Sequence, residues 1–286
     1  MKTKPRADIY KIIIVGVGGT GGLLSRDLAR YLYSIKDNEN ISYELALVDG
    51  DRVSLTNVSR QPFLNNDVGQ FKVDCLSEAF DVMYDIPVVP FPTYLDSCDD
   101  LMTIVKTLKP KSFSTFSYDI YRHIVLVGGV DNHRARQVLH SFYNTYPIST
   151  YNHEDIYYID SANEFDFGTC VCGYRNAEGE YCPPRAFFFP DILTDRGKRA
   201  SEISCGEINV SSPQHLITNL FAANVLLARI IAFITKHETL FGVTTFFPFQ
   251  CQISHRNAAS YGVNNYHELW LKEQQKQGGD INVSAN

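Results

Sequence analysis

The run Ile12-Ile13-Ile14-Val15 ends directly in Gly16-Val17-Gly18-Gly19-Thr20-Gly21, and Leu23, Leu24, Leu28 and Leu32 then follow at helical spacing. No other segment restricts the fold as much. A short continuous apolar run reads as a strand buried on both faces, and such strands belong to parallel sheets. Glycines allow a tight turn and a close backbone approach, and the free N–H groups at a helix start favour an anion. The unit is strand, glycine turn, helix, the place of a nucleotide-binding turn in a Rossmann-like sheet. It does not name the nucleotide. An NAD- or FAD-binding oxidoreductase would carry the same turn, and so would a tight turn that binds nothing.

The rest of the first half repeats the alternation. Residues 45–48 form a second buried run that stops at Asp49. Val88-Val89 suggests a third strand, and residues 124–127 a fourth that ends in Gly128-Gly129-Val130-Asp131. Strands alternating with helical patterns predict an α/β fold with a mostly parallel sheet and helices on both faces. The second half is less regular. Strands are expected over 156–159 and 169–174, with antiparallel strands in this second half. Residues 183–200, with Phe187-Phe188-Phe189, read as a long surface loop. Leu216, Ile217, Leu220, Phe221, Leu227 and Ile231 predict a helix with a broad apolar face. Residues 272–286 are polar and read as a loose tail. With no internal repeat and no linker, residues 1–271 are expected to form a single domain.

Composition excludes several function classes. Of 286 residues, 44% are hydrophobic, which rules out a disordered or collagen-like chain. Lys and Arg total 26 against 32 Asp and Glu, a net charge of -6, so a broad basic surface for nucleic acid is not expected. The apolar stretch 220–234 is short for a bilayer and carries Asn224 and Arg229, so no membrane span is expected. The polar residues 1–11 do not resemble a signal peptide, and a cytoplasmic location is expected. Seven cysteines, an odd number at irregular spacing, read as free thiols, metal ligands or a nucleophile rather than a disulfide framework.

Past the glycine turn, charge is placed where a triphosphate needs it. Asp49 ends the second strand, where a carboxylate can accept hydrogen bonds from ribose hydroxyls. Then come Asn57, Arg60 and Gln61, followed by Asp67-Val68-Gly69 and Lys72. Arg60 offers a planar fork of donors and Lys72 a compact positive charge. Asp131-Asn132 puts a carboxylate at the carboxyl end of another strand, and phosphate-bound Mg²⁺ usually takes one or two carboxylates. Each residue also has a plain reading: Arg60 as a surface ion-pair residue, Lys72 as a solvated helix charge, Asp131 as the cap of the helix that begins at Asn132.

As an ordered set, spanning roughly residues 11–140, these residues resemble the ThiF/MoeB/E1-like adenylyltransferases, the activating enzymes of ubiquitin and its sulfur-carrier relatives. In its second half the chain is closer to compact bacterial and phage (PRTRC-like) ThiF-type proteins. The resemblance implies that Gly16, Gly18, Gly19, Gly21, Asp49, Asn57, Arg60, Gln61, Lys72 and Asp131 hold ATP. Asp49 would take the ribose, Arg60 and Lys72 the phosphates, and Asp131 a Mg²⁺. Ser204-Cys205-Gly206-Glu207 is similar to the family's later cysteine segment, where Cys205 would be either a nucleophile for a thioester or persulfide link or a residue of a plain turn. The implied activity is ATP-dependent adenylation of the C-terminal carboxylate of a ubiquitin-like or sulfur-carrier protein, by a homodimer. A nucleotide-binding adaptor without catalysis is the alternative, ahead of a nicotinamide or flavin oxidoreductase.

Two features depart from the family pattern. MoeB and ThiF carry two Cys-x-x-Cys pairs for a structural zinc, whereas this chain has Cys170-Val171-Cys172, Cys182 and Cys251. That spacing is poor for a zinc knuckle, so a structural Zn²⁺ is not expected. Many members also have an N-terminal helix bearing an arginine that reaches the partner's ATP site. Only eleven residues precede Ile12, and Arg6 does not align with that arginine.

Overall fold

The computed structural model describes residues 4–149, 151, 153–197 and 215–258. Strand β1 (Arg6–Val15) alternates its side chains across the sheet. Ile12 and Ile14 enter one core, with Leu23, Leu24, Leu28 and Leu32 of α1 (Gly19–Ser34). Ile13 and Val15 enter the other, with Leu101, Ile104 and Val105 of α4 (Cys98–Thr107) and Leu139 and Phe142 of α5 (His133–Thr145). The apolar run is continuous because both faces of the strand are covered.

β1 lies between β2 (Ile41–Val48) and β4 (Asp119–Gly128), parallel to both. β3 (Val88–Phe91) pairs with β2, and β5 (Glu154–Asn163) with β4, again in parallel. The order β3-β2-β1-β4-β5 reverses direction at β1, and ligands of such sheets bind beyond the carboxyl ends of the strands at that point. Val15 is in register with Val48 on one side and Gly128 on the other. Gly16, Asp49 and Gly129 therefore emerge side by side.

The sheet then turns antiparallel, through β6 (Gly168–Asn176), β8 (Gly242–Phe247) and β9 (Gln252–Asn257), with the two-residue β7 (Tyr181–Cys182) also on β6. The β8–β9 hairpin is a part that the apolar patterning does not announce, because every residue of β9 is exposed. Residues 183–197 depart from the expected loop. They hold two short helices, α6 (Arg185–Phe188) and α7 (Asp191–Thr194), and Arg185 is buried against Asp160 at 3.6 Å.

Helix α8 (Leu216–Lys236) runs five residues beyond the last predicted apolar position and is long and apolar enough to cross a membrane by length and composition. Its buried side is Asn219, Ala222, Ala223, Leu226, Ile230 and Phe233, packed on α1 and on β5 and β6. The predicted face is rotated from this one. Leu216 is exposed, and Ile217, Leu220, Phe221, Leu227 and Ile231 are only half-buried. The small residues Ala222 and Ala223 face the core because α1 approaches closely there, which a search for large apolar residues overlooks.

Candidate nucleotide site

The glycine turn is shaped by backbone contact. Gly16 has φ +83°, and a Cβ there would lie 2.8 Å from the Gly129 carbonyl oxygen. The turns after β1 and β4 thus touch through two glycines, and neither can carry a side chain without moving the other. Helix α1 starts at Gly19 with no side-chain cap at Gly18 and no acidic residue in its first turn. Its first N–H groups are left to an outside acceptor.

Asp49 is wired to this turn. It accepts hydrogen bonds from the Val17 N–H at 2.8 Å and the Asp51 N–H at 2.9 Å. Burial pushes its carboxyl above the usual carboxylate range, against the pull of Lys72. Lys72 opens α3 (Lys72–Tyr84), and its Nζ donates to Asp51 Oδ2 at 2.7 Å. Tyr94 Oη donates to the other Asp51 oxygen at 2.6 Å. Burial acts to raise the Asp51 carboxyl, but Lys72 and these hydrogen bonds outweigh it and hold it low. Lys72 is therefore a buried, paired cation rather than a solvated helix charge. One of its three donors is spent on Asp51. Sequence reading gave Asp51 and Tyr94 no role. The Arg52–Phe71 bridge that brings residue 51 to residue 72 is a tertiary pairing without a local signal.

The short helix α2 (Leu55–Val58) carries the next group. Asn57 is buried, and its Oδ1 accepts from the Ser54 N–H at 2.9 Å, which fixes the helix start. Its carbonyl serves the local fold. Gln61 is buried, its Nε2 stands 3.8 Å from the place of a Cβ on Gly18, and its Oε1 has no hydrogen-bond partner among the described residues. Arg60 is half-buried and has no ion-pair partner among the described residues.

Asp131 is exposed, in the loop between β4 and α5. It is not the helix cap. Asn132 is, accepting from the Ala135 N–H at 2.8 Å. The cap needs a short acceptor one residue before the first helical turn, and Asn132 already fills that place. The loop is held from behind by Arg136, whose Nη2 donates to the Val130 carbonyl at 2.6 Å and whose Nε donates to Asp160 at 3.2 Å. The glycine turn is backed by Asn219 of α8, whose Oδ1 accepts from Thr20 Oγ1 at 3.3 Å and Asn163 Nδ2 at 3.2 Å. A Cβ on Gly19 would run into the Asn219 side chain, so a larger residue there would have to displace it.

The crevice therefore brings together the glycine turn, Asp49, Gln61 and Lys72, with Arg60 and Asp131 on its flanking loops. Cys205 lies outside the described residues. Cys170, Cys172 and Cys182 are buried in β6 and β7, while Cys251 is exposed in the turn before β9. Among the described residues, no set of cysteines comes within metal-binding reach.

The profile of the ThiF family matches residues 6–162, more than half of the chain and all of the crevice described above. The chain belongs to the ThiF family. No curated protein matches it. Among solved structures, the ThiF-family chain is similar to PaaA, with a TM-score of 0.54, 19% identity, and coverage of 87% of this chain and 64% of that one. It is also similar to E. coli MccB crystallised with ATP, with a TM-score of 0.52, 20% identity, and coverage of 86% and 63%. A third likeness is E. coli MccB with AMPCPP and MccA, with a TM-score of 0.53 and 19% identity. At that identity the likeness shows the fold. The chain spans 64% of PaaA and 63% of these MccB chains, less than two thirds of each.

Proposed function

We propose that this ThiF-family chain is an ATP-dependent adenylyltransferase. The observation that carries the reading is the Asp51–Lys72 pair beside Asp49 and the glycine turn. An acid after β2 also serves dinucleotide-binding sheets, so what favours a triphosphate is the lysine held beside it, a cation that a dinucleotide turn does not need. The uncapped start of α1 suits phosphate, and the unpartnered Gln61 Oε1, an acceptor, suits a ligand donor such as a ribose hydroxyl or an adenine amino group. In this reading Asp49 takes the ribose, and the first N–H groups of α1, with Lys72 and Arg60, take the phosphates. Asp131 would hold a Mg²⁺, which when bound neutralises phosphate charge.

The substrate is the C-terminal carboxylate of a ubiquitin-like or sulfur-carrier protein. A carboxylate oxygen attacks the α-phosphorus and the bond to the β-phosphate bridging oxygen breaks, leaving an acyl-adenylate and pyrophosphate. The chain's part is alignment and charge neutralisation. MccB's crystallisation with MccA favours one second reading, in which the carboxylate belongs to a short peptide. The half-exposed row Leu216, Leu220 and Leu227 on α8 would serve a homodimer, and light scattering reads that directly.

The test is exchange of labelled pyrophosphate into ATP, with carriers of the β-grasp type ending in Gly-Gly and, separately, short peptides. Exchange that requires a free C-terminal carboxylate supports adenylation and tells protein from peptide. ATP binding without exchange on any acceptor would turn the reading to a nucleotide-binding adaptor.

A further inference from the structure

A second polar cluster lies at the opposite end of the sheet. Asp8 lies seven residues before Val15 on β1, about 23 Å from the crevice by strand rise. Here His123 of β4 is fully enclosed. Its Nδ1 is 2.9 Å from both oxygens of Asp155 on β5, and Tyr174 Oη donates to one of these at 3.2 Å. Its Nε2 faces Asp8 Oδ1 at 2.9 Å. His237, just past α8 in a left-handed conformation (φ +53°), stacks over it with ring centroids 5.9 Å apart. One ligand atom each from Asp8, His123 and His237 lies within 4.8 Å of the others.

The hydrogen bonds give this cluster a direction. A carboxylate on Nδ1 holds the imidazole proton there and aims Nε2 at whatever the ring binds. Metal-ligating histidines are oriented by such carboxylates. Nε2 and Asp8 Oδ1 both carry lone pairs along their line of approach, so a cation must stand between or beside them: a second ring proton, or a metal. The position beside them is already cationic. Arg6 Nη2 donates to Asp8 Oδ1 at 2.7 Å and to His237 Nδ1 at 3.2 Å. Arg6 has 40% of its side chain exposed, lies over the Tyr121 ring, and can leave without opening the core.

We propose that Asp8, His123 and His237 form a zinc site that is independent of the nucleotide crevice. Two imidazole nitrogens and one carboxylate oxygen suit Zn²⁺, with Asp155 as the residue that orients His123 and Arg6 as the resident cation that the metal displaces. The site ties the starts of β1 and β4 to the end of α8. Three protein ligands leave the fourth zinc position to water, and the site stands or falls separately from the adenylation reading.

The test uses the full chain, stripped of metal with a chelator, in a Cys205→Ser, Cys251→Ser background that removes thiol binding at those positions. Zn²⁺ is titrated by calorimetry against a chromophoric chelator, and Co²⁺ by its visible absorption. The expected result is one equivalent of tight zinc and a rise in melting temperature. His237→Gly keeps the left-handed backbone and removes a ligand, so it should weaken binding at least about tenfold while circular dichroism stays unchanged. Asp155→Asn should weaken it about 10- to 100-fold. Arg6→Gln should tighten it. Absence of zinc binding, binding unchanged in His237→Gly, or weaker binding in Arg6→Gln would overturn the proposal. None of these outcomes bears on ATP.

Discussion

Lys72 donates to Asp51 at 2.7 Å from the first turn of α3, and the Lys72 side chain is almost wholly enclosed while Asp51 keeps a quarter of its side-chain surface. A buried charge left without its partner costs about 3–5 kcal/mol, a figure that exposure of Asp51 reduces here to roughly 1–3 kcal/mol. Lys72→Ala is therefore expected to lower the urea-unfolding free energy by about 2 kcal/mol and to weaken ATP at least about tenfold. A variant with lowered stability and unchanged ATP affinity would mark the pair as purely structural.

Two glycines with positive φ separate conformational strain from crowding. Gly16 (φ +83°) has the Gly129 carbonyl 2.8 Å from where a Cβ would sit, whereas Gly69 (φ +93°) has nothing within 4 Å. Gly69→Ala should cost only the left-handed backbone penalty, about 1–2 kcal/mol. Gly16→Ala should cost roughly 2 kcal/mol more and disturb the glycine turn. Chemical denaturation of both variants checks the ranking.

Asp131 and Asn132 divide the work of one loop. Asn132→Ala removes the α5 cap and should cost about 1 kcal/mol of stability. Asp131→Asn should leave stability unchanged and lower pyrophosphate exchange at least about a hundredfold, the scale of losing one key electrostatic group. Equal exchange in Asp131→Asn and the parent would remove Asp131 from the site.

The strand–turn–helix unit and the acid after β2 were legible because buried parallel strands and glycine turns are local patterns. The glycine turn, Asp49 and Lys72 meet where a sequence reading would put them. The roles of Asn57 and Asp131 were less legible, since a capping acceptor and a ligand acceptor use the same residue types, and geometry alone tells that Asn57 reaches back to the Ser54 N–H and Asn132 caps α5 while Asp131 does neither. Asp51, Tyr94, Arg136 and Asn219 gave no signal because their partners Lys72, Asp51, Asp160 and Thr20 are 21 to 199 residues away. The cluster around His123 was hidden for a further reason. Asp8, His123 and Asp155 are buried although polar, so the apolar runs at 12–15, 124–127 and 156–159 stop short of the true strand ends.

A pH dependence follows from His140 of α5. Burial lowers its pKa from 6.5 to about 4, with Nδ1 unpartnered. Because the folded value is depressed, its contribution is complete above about pH 6.5 and is lost as pH falls toward about 4. Between about pH 7.5 and about pH 5 the parent should lose about 2 kcal/mol more stability than His140→Gln. Equal losses in urea titrations at the two pH values would show that the ring is not held neutral.

Calorimetric titration of the purified chain with ATP in the presence of Mg²⁺, set beside NAD at the same concentration, reads the central claim directly. ATP should bind with one equivalent, NAD should bind far more weakly, and Arg60→Ala should weaken ATP at least about tenfold, the share of a charge-assisted contact. Tight NAD binding with no ATP binding would contradict the account.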